Sequence, residues 1–141
     1  MTKAPYESVQ IDRMPELTYD DQPESTHWHP IRIHFGIQSF GANAFSADQG
    51  QPVVVEHRET EESGTRHEEL YYVSKGRATF TIDGEEVDAS AGTFVYVPDP
   101  GALRGAVAEE DGTVILCFGG TPGEAFSVSP WERKYDPAAA R

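Results

Sequence analysis

An all-β fold with one short C-terminal helix is what this sequence predicts, and three observations carry the prediction. Apolar and aromatic runs (LYYV, ATFTI, TFVYV) recur between His67 and Pro98 and are too short for useful helices. Turn signals separate them: Ser74-Lys75-Gly76, Asp83-Gly84 and Ser90-Ala91-Gly92. The Asp-Gly pair favours a tight hairpin with positive φ at both central positions. No heptads or internal repeats compete with this pattern. The stretch 67–98 therefore reads as a meander of antiparallel strands.

The remaining elements follow in chain order. Residues 1–26 are polar and broken by Pro5, Pro15 and Pro23, so an extended arm is expected, with Ile11, Met14 and Leu17 as docking points. Residues 27–126 would form the barrel. In IRIHFGI (31–37) Ile31, Ile33, Phe35 and Ile37 alternate with Arg32 and His34, which predicts a strand with one buried face. Its partner is expected within Ser39–Ala47, followed by a turn at Gln49–Pro52 and a strand over Val53–Arg58. A very polar loop, 59–66, containing the Glu61-Glu62 charge run, leads into the meander. Strands are also predicted over Leu103–Ala108 and Thr113–Phe118. In the tail, 127–141, Ser129 reads as an N-cap, Pro130 as the first helical residue and Glu132 as the return arm of a capping box. Trp131 and Tyr135 would share one face of that helix and lie against the barrel.

Composition bounds the function. A chain of 141 residues suggests one domain and buries roughly two-thirds of its unfolded surface, enough for one core without staples. Acidic residues number 24 against 11 basic, a net charge of −13, which argues against nucleic acid and anionic membranes as partners. Cys117 is the single cysteine and sits in the apolar run VILCF, so it is expected to pack as a small buried hydrophobe. No apolar run reaches the ~18–20 residues of a membrane span. The start carries no signal-like segment, so a cytoplasmic location is expected.

One constellation could carry chemistry: the His and Glu residues just before the first meander strand. The spacings Glu69-x6-Gly76 and Gly92-x5-Pro98 resemble the two short motifs of the cupin family, over roughly residues 50–118. The resemblance implies a double-stranded β-helix, the cupin jelly-roll barrel. It places His57 at the first metal-ligand His, Glu59 at the second His position, and Glu69 at the motif Glu. Arg104 stands where the second motif carries His, and arginine is not a ligand for cations. His67, two residues before Glu69, would supply a substitute imidazole.

If Glu69 points into the barrel, strand parity sends His67, Tyr71 and Val73 inward and Leu70 and Tyr72 outward. Phe80 and Ile82 are expected inside, with either Phe94 and Tyr96 or Val95 and Val97. Three readings of the cluster stay open. His57, His67 and Glu69 could bind one divalent metal (Fe, Mn, Zn or Ni) acting as a Lewis acid. Without metal, Arg104 would clamp an anionic ligand, with Glu59, Glu69, Tyr71, Phe80 and Tyr96 around it and His57 or His67 as catalytic base. In the third, Glu69–Arg104 is an ion pair that plugs the barrel. The expected occupant is a small polar or anionic metabolite, and an enzyme of isomerase, oxygenase or lyase type would look like a passive sensor at this level. A homodimer is expected, because Leu70, Tyr72 and the sheet edges need cover.

Overall fold

The computed structural model describes residues 4–60 and 66–137. The predicted loop's Glu61-Glu62 run and the last four residues of the tail lie outside the described residues. Two antiparallel sheets face one another. One has the order β1 (Thr26–His29), β2 (Gly41–Ala47), β9 (Thr113–Gly120), β4 (Glu68–Lys75), β7 (Phe94–Val97). The other runs β3 (Pro52–His57), β8 (Arg104–Ala108), β5 (Arg77–Ile82), β6 (Glu85–Ser90). Among the described residues the structure is all β apart from two short helices, α1 (Ile31–Phe35) and α2 (Pro130–Arg133), and a 3₁₀ turn at Ile11–Arg13.

Period-2 patterning explains the core. On β4, Glu69, Tyr71 and Val73 are buried, while Leu70 and Tyr72 on the other face are half-buried. Phe80, Val95, Val97 and Ile115 meet them from the other strands. Phe94 and Tyr96, the other pair considered for the interior, point outward.

The meander needs correction. Only β5 and β6 form a hairpin, through Asp83 (φ 48°) and Gly84 (φ 85°), the positive-φ pair a tight turn requires. β4 pairs with β7 and β9 instead, and the chain changes sheet at Gly76. Gly76 has φ +77°, and a Cβ there would lie 2.5 Å from Thr113 Oγ1, so a glycine is required for both backbone and space.

Residues 31–35 form helix α1, not the predicted strand. Pro30 precedes the turn, and Gly36 at φ 72° closes it, donating to the carbonyls of Arg32 and Ile33. The side chain this segment buries is Arg32, which pairs with Glu132 and Asp136 of the C-terminal segment. That tertiary demand overrides the alternation of its isoleucines. The same pairing changes α2. Pro130 does occupy the first turn, but Ser129 makes no side-chain cap, and Glu132 reaches Arg32 and Asn43 rather than folding back.

Trp28 on β1 is fully buried and receives Trp131 and Tyr135 at 5.0 and 5.5 Å between ring centroids. From the arm, Leu17 bridges to Trp28 and Met14 is buried. Both chain ends thus dock on the barrel at one place. Among the described residues no helix is long and apolar enough to cross a membrane.

Candidate functional site

The β3–β8 register sets His57 opposite Arg104, and β9 sets Cys117 beside Tyr71. Glu69 lies between these pairs. Its Oε1 accepts from Arg104 Nη1 at 2.8 Å and from the Tyr71 hydroxyl at 2.5 Å, and its Oε2 accepts from the Cys117 thiol at 3.2 Å. Arg104 has no exposed surface (0%), and its other donors go to the carbonyls of Ala102 and Asp99, both at 2.7 Å. Glu59, just past β3, is fixed by its N–H to the Pro100 carbonyl.

His57 Nδ1 faces the Val55 carbonyl at 2.8 Å, and Nε2 faces Glu59 Oε1 at 3.1 Å and Glu69 Oε1 at 3.5 Å. Acceptors at both nitrogens call for an imidazolium that donates twice. Burial works against that charge, but the bonds to Glu59 and Glu69 raise the group from 6.5 to about 10. Burial likewise opposes ionisation of Glu69. The bond and charge of His57, with the Tyr71 and Cys117 donors, overcome it and hold the carboxyl well below its usual range. Burial and the nearby Glu69 carboxylate push both Tyr71 and Cys117 upward, so each stays a protonated donor.

A cavity of about 380 Å³ opens above this floor. His57, Glu59, His67, Glu69 and Tyr71 all border it, as the sequence suggested. Three of the expected ligand-binding residues do not. Arg104 lies sealed beneath Glu69, Phe80 is in the core against Tyr71 at 5.5 Å, and Tyr96 is 57% exposed on the outer face, bonded to Glu68. An anion clamp at Arg104 therefore has no surface on which to act. Sequence reasoning missed the far wall: Tyr19 of the arm, and Phe126, Trp131 and Tyr135 of the C-terminal segment. The pairing of Trp131 with Tyr135 was its only signal.

A family model described as a cupin domain matches residues 51–118. This barrel has the cupin fold. A sugar phosphate isomerase from the cupin superfamily of Silicibacter pomeroyi superposes with a TM-score of 0.65 at 15% identity, over 80% of this chain and 74% of its own. A cupin protein from Bacteroides fragilis gives 0.63 at 17%, over 92% and 96%. A predicted oxalate decarboxylase from Thermotoga maritima gives 0.62 at 13%, over 80% and 97%. At these identities the likeness shows the fold. Among curated protein sequences none matches the chain.

Cupins often hold a metal, and here His57, Glu59 and Glu69 present donor atoms within 4.8 Å of one another. His67, expected among the ligands, is not in that set; its ring packs on Phe126 at 5.4 Å. The set fits a divalent ion poorly. The Glu69 oxygen nearest His57 already accepts from Arg104 and Tyr71. A dication about 4 Å from a guanidinium would add roughly 8 kcal/mol of repulsion at an effective dielectric of 20.

Proposed function

We propose that this cupin binds a small organic molecule in the barrel mouth through the His57–Glu59 pair, without a resident metal. The supporting observation is that pair itself: a donor and an acceptor, 3.1 Å apart, on the lining of a mostly apolar cavity. A ligand edge carrying an acceptor beside a donor, such as an amide or a hydroxyl next to a carbonyl, exchanges their mutual bond for two of its own. The same geometry suits proton transfer. Once the ligand separates the pair, His57 gives a proton to a carbonyl or leaving hydroxyl oxygen while Glu59 takes one from the neighbouring atom. Isomerisation and elimination of hydroxy-carbonyl compounds belong to this class, as does the reaction named for the Silicibacter protein. Tyr71 and Arg104 keep Glu69 fixed and ionised behind the pair.

Calorimetry with a panel of small amides and hydroxy-ketones tests the reading. Binding should fall at least tenfold in His57→Gln and in Glu59→Gln, the loss of a charged hydrogen bond; affinity unchanged in both variants refutes it. A second reading keeps a divalent ion on His57, Glu59 and Glu69, favoured by their spacing. Elemental analysis of the purified protein separates the two. Stoichiometric metal that disappears in Glu59→Gln establishes the second reading and removes the first.

We also propose that two copies pair through the outer face of the larger sheet, where Phe40, Phe94 and Tyr96 are exposed around half-buried Leu70. Sedimentation should show a dimer that Phe94→Asp converts to monomer.

A further inference from the structure

We infer that the wall built by the two chain ends selects ligands with a flat ring, and that Trp131 is the platform on which the ring stacks. The inference rests on the His57–Glu59 reading for the ligand's polar edge. Aromatic rings also border the cavity: Tyr19 from the arm, and Phe126, Trp131 and Tyr135 from the C-terminal segment. Trp131 is 37% exposed. Its two ring neighbours meet it at an angle, Tyr19 at 5.7 Å and 70°, and Trp28 at 5.0 Å and 53°. Neither lies parallel to the indole, so neither already makes a face-to-face stack with it.

The polar groups of this wall are spent on holding it. Glu132 accepts from Arg32 and from Asn43 Nδ2 (2.8 Å), and Asn43 in turn accepts from the indole N–H of Trp28 at 2.8 Å. Lys134 pairs with Asp20, whose backbone N–H donates to the Tyr135 hydroxyl at 2.7 Å. The arm and the C-terminal segment are thereby tied to each other and to the barrel. The rings are positioned before a ligand arrives, which spares the entropy of ordering them on binding. The cavity therefore combines aromatic rings with a donor–acceptor pair. A compact molecule with a flat ring and one hydrogen-bonding edge satisfies both.

Benzamide and cyclohexanecarboxamide share an amide edge and differ in the flatness of the ring, so they separate the wall from the floor. Calorimetry and saturation-transfer NMR should give benzamide about tenfold tighter binding, the upper range for an aromatic stack. Trp131→Ala should erase that preference by weakening benzamide far more than the saturated amide, and Trp131→Phe should keep most of it. The near-ultraviolet dichroism of Trp28 reports whether the segment stays docked in each variant. Equal affinities for the two amides, or no benzamide binding at millimolar concentration, overturn the inference. Glu59→Gln should weaken both amides alike. A benzamide preference that depends on Trp131 while both affinities ignore Glu59→Gln sinks the floor reading and leaves the wall standing.

Discussion

Arg104→Met puts the buried ion pair to a quantitative test. The substitution keeps an unbranched apolar stem of similar length and deletes the guanidinium. Glu69 would remain buried and ionised without its 2.8 Å partner, and the Ala102 and Asp99 carbonyls would each lose a donor at 2.7 Å. Removing one member of a buried pair costs about 3–5 kcal/mol. With a urea m-value of about 2 kcal/mol/M, that moves the unfolding midpoint down by about 2 M. Glu69→Gln in the same background removes the stranded charge and keeps an acceptor for Tyr71. The double variant should therefore be more stable than Arg104→Met alone, with a coupling of about 1–3 kcal/mol. Urea unfolding of the four proteins, followed by far-ultraviolet dichroism, measures it. A loss below about 1 kcal/mol for Arg104→Met, or strict additivity, refutes a guanidinium that matters chiefly through Glu69.

Other perturbations reach different parts of the molecule. His57 is raised from 6.5 to about 10, so its contribution is complete below pH 6.5 and is lost as pH rises through about 10. The stability gap between wild type and His57→Gln should therefore be flat below pH 6.5 and close by pH 10; a gap that widens with pH contradicts the pairing. Gly76→Ala combines positive φ with a Cβ 2.5 Å from Thr113 and should cost well over 2 kcal/mol, whereas Gly84→Ala, with open space, should cost about 1 kcal/mol. Matched thermal melts compare them, and equal losses would deny the close approach at Thr113. Arg32→Met leaves Glu132 and Asp136 buried without their cation, so limited proteolysis should cut the C-terminal segment at least tenfold faster. Unchanged protection would mean that the aromatic contacts alone hold it.

What could be read in advance was what short-range chemistry determines. Asp83-Gly84 announced its hairpin because few other dipeptides accept two positive φ values. Parity from Glu69 correctly sent Tyr71 and Val73 inward, and motif spacing brought Arg104 to Glu69. The failures share a cause. The Ile31–Phe35 alternation gave way to a partner 100 residues away, Glu132, which no local pattern reveals. The same contact emptied the capping box at Ser129. Of the readings open for Arg104, the buried pair with Glu69 matches the geometry and the exposed anion clamp does not, because depth within a barrel depends on how two sheets close. The aromatic wall was hidden for a similar reason: its rings come from both ends of the chain and meet only after folding.

Cys117 gives the protein a built-in clock. It is the chain's one thiol, and it faces a carboxylate in a site where burial, and then Glu69, keep the sulfur from becoming the reactive anion. A thiol-reactive dye too large for the cavity should therefore ignore the native protein and mark each molecule only when the barrel opens. The pace of labelling would then count openings directly, with no engineered handle, and an occupant that keeps the barrel shut would slow it.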